Sequence, residues 1–69
     1  MNAATDIAQA AAGERAFRTG SSLLFGTVEA RNAAADALEV AGFTVERSTA
    51  KFPGRPVVKP SVVVVGVAA

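Results

Sequence analysis

Glu29, Asp36 and Glu39 are the first residues of this chain that invite a chemical reading. They fall within the stretch EARNAAADALEVAG, and carboxylates held near one another can do acid–base work. Their spacing is that of the outward face of a helix, and no nucleophile or metal-ligand set accompanies them. The chain contains no Cys and no His. Thiolate ligands and disulfides are thereby excluded, and so are the commonest metal ligand and the usual general base near neutral pH. Ser21 and Ser22 have no imidazole to activate them. No catalytic residue, metal ligand or cofactor-binding residue is assigned, no cofactor is expected, and the chain reads as non-enzymatic.

Anion binding is the second chemistry to weigh. In FGTVEAR, Gly26 and Thr27 stand where a strand passes into a helix, and free backbone N–H groups at such a junction can hold an anion. The phosphate-loop and dinucleotide-binding glycine patterns are both missing, and Glu29 in the first turn repels an anion. The reading is an ordinary helix cap. The tail VVVVGVAA looks like the first strand of a nucleotide-binding domain running into its glycine turn, but no helix follows it in these 69 residues.

Charge is unevenly spread. Residues 1–43 carry three arginines against five carboxylates, whereas residues 44–69 carry Arg47, Lys51, Arg55 and Lys59 against Glu46 alone. These four basic residues recur every fourth position around a Pro53-Gly54 turn, with Phe52 among them. A loop of this kind touches phosphates and offers a ring for stacking a base. The net charge of only +1 argues against a dedicated nucleic-acid binder, so a solvated loop, or one that docks on an acidic protein patch, is the preferred reading.

The elements that position these residues follow from periodicity. Residues 2–19 read as a helix capped by Asn2 or Thr5 and ended by Gly20, with Gly13 as a weak point in its middle. Ile7 and Phe17 are its only large apolar side chains. Leu23 to Val28 reads as a strand interrupted by Gly26. Ala30, Ala34, Ala37, Leu38 and Ala41 then mark one face of a helix, with Thr27 as its cap and Gly42 as its left-handed terminator. Phe43, Val45 and Arg47 alternate with Thr44 and Glu46, which is a strand. Strand, helix and strand in this order form a βαβ unit with parallel strands. Pro56 and Pro60 confine any strand near Val57 and Val58 to a short edge piece. SVVVVGVAA is the last strand, with valines on both faces, and both faces require cover.

Size sharpens that requirement. Below about 70–80 residues one core rarely supplies more than about 3–5 kcal/mol. Apolar residues make up 51% of the chain, but many are Ala or Val, and Phe is the only aromatic type. Without disulfides or a metal, a partner is the reinforcement that remains.

The expected fold is a small α/β or α+β domain: a helical arm over residues 1–20, then a β-α-β-β unit over residues 21–69. That layout is similar to part of a ferredoxin-like fold. The resemblance is generic and implies no functional residues. The expected function is a protein–protein interaction or assembly module that self-associates or binds a protein partner. It would be a minor structural component of a large assembly, such as a phage particle, or a homo-oligomeric subunit. Its expected interface is Val62, Val63, Val64, Val65 and Val67, with Ile7 and Phe17 from the arm. The alternative is a small regulator or inhibitor that docks the basic loop, Arg47, Lys51, Phe52, Arg55 and Lys59, on an acidic protein or a nucleic-acid complex. No apolar run reaches the roughly 20 residues that span a bilayer, and no signal peptide is read. No membrane partner and no small-molecule substrate are indicated, and the expected location is the cytoplasm or a particle assembled there.

Overall fold

Thr27 does what its position promises. In a computed structural model describing residues 3–51 and 54–67, its Oγ1 accepts a hydrogen bond from the Ala30 N–H at 3.1 Å and opens a helix over Val28–Val40. Gly42 closes that helix in the left-handed region, at φ +98°. The full order is α1 (Ala3–Ala12), β1 (Phe17–Thr19), β2 (Ser22–Leu24), α2 (Val28–Val40), β3 (Phe43–Lys51) and β4 (Val58–Val67). The fold is thus a small α+β domain with two helices and a four-stranded sheet.

The N-terminal helix is shorter than its composition suggests. Gly13, at φ +73°, takes the left-handed conformation just past Ala12 and donates to the Gln9 carbonyl at 3.0 Å, which is a helix stop. Gly13 is therefore the terminator, not a weak interior residue. The next residues are pinned by side chains: Gln9 Oε1 accepts from the Ala16 N–H, and Glu14 Oε2 from the Gly26 N–H, both at 2.9 Å. Phe17 then enters β1, opposite Leu24, and is not on a helix. Gly20, expected to end a helix, is at φ +61° in the two-residue turn joining β1 to β2. A first turn residue with positive φ suits the right-handed twist of a hairpin.

The sheet order is β1-β2-β4-β3, and every neighbouring pair is antiparallel. β2 and β3, joined through α2, do run in the same direction, but β4 lies between them. The expected parallel pair is therefore a split one. The physical reason is local. β3 and β4 are joined by only six residues, so closing their hairpin costs little chain entropy. They form a ladder of nine residue pairs. The valine-rich strand, apolar on both sides, then takes an inner place in the sheet.

Pro60 was expected to forbid this, yet it lies inside β4, opposite Thr49. Its carbonyl accepts from the Phe25 N–H at 2.9 Å, on the β2 side. An N–H at this position would point the same way, beyond the last residue of β2. Proline thus sacrifices one bond at the end of a ladder and leaves the β3 ladder whole.

Both helices cover one face of the sheet. Ala4 and Ala8 of α1, Ala30, Ala34, Ala35 and Leu38 of α2, and Leu23, Phe25 and Val62 form one buried cluster. Ala35 replaces the expected Ala37 and Ala41 because α2 must meet α1 as well as the sheet. Five of the ten buried apolar residues among those described are alanines, whose small side chains let helix axes approach closely. The opposite face carries no helix. Leu24 and Ser61 are nonetheless sealed within it, at 2% and 1% exposure.

Candidate functional site

The paired carboxylates of α2 are already engaged. Arg47, mid-way along β3 on the helix-bearing face, places Nη2 2.5 Å from Asp36 and 3.2 Å from Glu39. Its Nη1 donates to Asn32 at 3.3 Å. The hydrogen bond to Asp36, opposed by desolvation and assisted by Glu39, pushes the guanidinium above its already high pKa. Arg47 stays charged and ties β3 to α2. It belongs to this surface ion pair and not to a loop.

The helix N-terminus is likewise taken up from within. The Gly26 N–H donates to the Glu14 carboxylate, and Thr27 caps the Ala30 N–H. A carboxylate of the chain itself stands where a bound anion would. Among the described residues no three His, Cys, Asp or Glu side chains gather as a metal-binding group. A cavity of about 140 Å³ lies between the start of α1 and the β1–β2 hairpin, with Arg18 its only charged residue. Drug-sized ligands occupy pockets of about 300–1,000 Å³.

The valines of β4 divide between faces. Val62 is fully buried under the helices and Val64 packs at the edge of the same core. Val63, on the helix-free face, is half-buried between Ser22 and Glu46. Val65 is left unpaired by a bulge: Val45 faces Val64 and Thr44 faces Gly66. Such an extra residue bends its strand. Val65 is 59% exposed, and Val67, opposite Phe43, is 75% exposed. Ile7 packs on the core from α1, while Phe17 stands on the edge strand β1. Over Ser61–Val63 β4 is paired on both sides, so that stretch does not offer itself as an added strand for another protein's sheet.

One surface residue escaped the sequence reading. Val40, the last residue of α2, is 90% exposed. It precedes Phe43 by three residues, and Phe43 pairs with Val67. Val65 and Val67 thus stand at the end of the sheet where β3 begins and β4 finishes, while Val40, two positions and about 200° on from the buried Leu38, lies on the solvent side of α2. The signal was present, since Val40 stands beside Glu39, outside the alanine stripe of its helix.

The opposite end is basic. Lys51 ends β3 opposite Val58, Lys59 faces Ala50, and Arg55 is exposed in the connection between the strands. Gly54 has φ +75°, the value that the third residue of a type II turn requires. Phe52 and Pro53 lie outside the described residues.

No protein-family model matches this chain, and no curated protein or solved structure matches it either. Its function must be argued from these surfaces.

Proposed function

We propose that this chain is a non-enzymatic assembly module that associates with further copies of itself within a larger particle. The observation that supports this reading is the apolar end of the sheet. Two valines there, Val65 and Val67, are 59% and 75% exposed beside the half-buried core residues Phe43 and Val64. A small domain whose core is half alanine gains from burying them. At about 25 cal/mol per Å² of apolar surface, each fully buried valine contributes roughly 1.5 kcal/mol or more. A contact between copies buries two such sets at once, since a two-fold interface uses the same patch on both partners. The long edge strand β3 is a poorer place for association. It carries Glu46, Arg47 and Lys51, and charges of this kind discourage strand addition. A role as a minor structural component of a phage particle or as a homo-oligomeric subunit, assembled in the cytoplasm, fits this reading.

Size-exclusion chromatography with light scattering tests it. The purified chain is expected to run as an oligomer that Val65→Asp or Val67→Asp converts to a folded monomer. Salt should have little effect, because the contact is apolar. A chain that stays monomeric up to about 100 µM, where even a weak pair with a Kd of about 10 µM would be formed, overturns the proposal. Val63→Asp separates the faces: it should leave association intact if the valine end alone makes the contact.

A further inference from the structure

Beyond Pro60 the β3–β4 hairpin leaves the four-stranded sheet. β2 pairs with Ser61, Val62 and Val63, and its last link to β4 is the Phe25 bond to Pro60. Residues 50–51 and 58–59 pair only with each other. The molecule measures 36 Å along its longest axis and 21 Å across, and a ten-residue strand such as β4 is itself about 33 Å long. The hairpin end is thus a two-stranded ribbon, beyond the reach of β2, with Lys51 and Val58 exposed and Ala50 and Lys59 half-buried.

Its charges are distributed in a particular way. Register places Lys59 with Ala50 on the helix-free face, and Lys51 with Val58 on the other. Arg55 stands in the exposed connection. At the base of the ribbon, Arg31 of α2 donates to neutral acceptors, the Ser48 carbonyl and Asn32 Oδ1, both at 2.8 Å. From Arg47 to the C-terminus the sequence contains no carboxylate side chain. Cations therefore stand on both faces of the ribbon and at its tip. A flat acidic protein surface engages only one face of such a ribbon. A groove with phosphates along both walls engages both.

The geometry points to the paired residues 50–51 and 58–59, with Arg55 in the connection, as an arm that enters the major groove of double-stranded DNA, Lys51, Lys59 and Arg55 contacting backbone phosphates. The B-form major groove, about 12 Å wide, admits a two-stranded ribbon. Contacts of this kind position a protein on the duplex without reading sequence. The arm, which itself carries the exposed Val57 and Val58, lies at the opposite end of β4 from Val65 and Val67, so it does not depend on the self-association proposed above.

Fluorescence anisotropy with a labelled DNA duplex of about 24 base pairs of arbitrary sequence tests the arm. Three phosphate contacts predict a log–log salt slope of about −2.7, a loss of roughly 40-fold in affinity between about 50 and about 200 mM salt. Arg55→Gln should reduce the slope by about one unit, and Lys51→Gln with Lys59→Gln by about two. Circular dichroism confirms that each variant is folded. If the half-buried Lys59 does not tolerate replacement, the exposed Lys51 and Arg55 carry the test alone. Duplex RNA, whose major groove is deep and narrow, should bind more weakly. Equal binding of polyglutamate, of single-stranded DNA or of duplex RNA would overturn groove entry. So would no binding at about 50 mM salt, or a slope unchanged by the substitutions.

Discussion

Replacing Ser61 by alanine should stabilise this protein. Ser61 is 1% exposed, and its Oγ has no hydrogen-bond partner. It stands on the helix-free face in a row with Leu24 and Ser48. A buried hydroxyl without a partner costs about 1–3 kcal/mol in lost hydration. Ser61→Ala removes that cost and leaves a void on the order of 15 Å³, which at about 24 cal/mol per Å³ returns roughly 0.4 kcal/mol. The net expectation is a gain of about 1 kcal/mol, or about 4–8 °C in Tm for a chain of this length. Urea denaturation followed by circular dichroism measures it, with Ser48→Ala as a control. Ser48 is exposed on the same row, so its replacement should move stability by less than about 0.5 kcal/mol. If Ser61→Ala instead lowers the urea midpoint at an unchanged m-value, the hydroxyl is hydrogen-bonded in solution and the reasoning fails. At the protein concentration used, the oligomeric state must be the same for both forms, because association itself adds to apparent stability.

Two further substitutions test how the core and the turns are held. Leu38 is fully buried at the centre of the cluster shared by both helices and the sheet; Leu38→Ala should cost about 2–5 kcal/mol, enough to unfold much of so small a domain at room temperature, and a cooperative native transition in this variant would show that the core lies elsewhere. Gly42 sits at φ +98° with open space around it, so Gly42→Ala meets no clash but carries the left-handed penalty of about 1–2 kcal/mol; unchanged thermal unfolding would mean that the α2–β3 turn adopts another conformation.

What could be read from the sequence was whatever depends on near neighbours along the chain. The stripe of Ala30, Ala34 and Leu38, the Thr27 cap and the Gly42 stop are all settled within four residues of one another, and α2 formed as those residues indicate. The alternation put Phe43, Val45 and Arg47 on one side of a strand, which is the side that the helices cover, although Arg47 was counted with the basic loop. The N-terminal segment was harder, because alanine-rich stretches favour helix wherever they occur. Only the positive φ of Gly13 decided that Phe17 belongs to a strand. Partners across space were not legible at all. That β4 inserts between β2 and β3, that Pro60 loses a hydrogen bond only at a ladder's end, and that Arg47 spends its charge on Asp36 and Glu39 depend on residues eight or more positions apart. Periodicity states which face of an element is apolar, but it does not name the element that covers it. That choice belongs to the balance of loop-closure entropy, strand pairing and burial over the whole molecule, and it is this balance that leaves Val65 and Val67 exposed at one end of β4 and sets cations beside the exposed Val58 at the other.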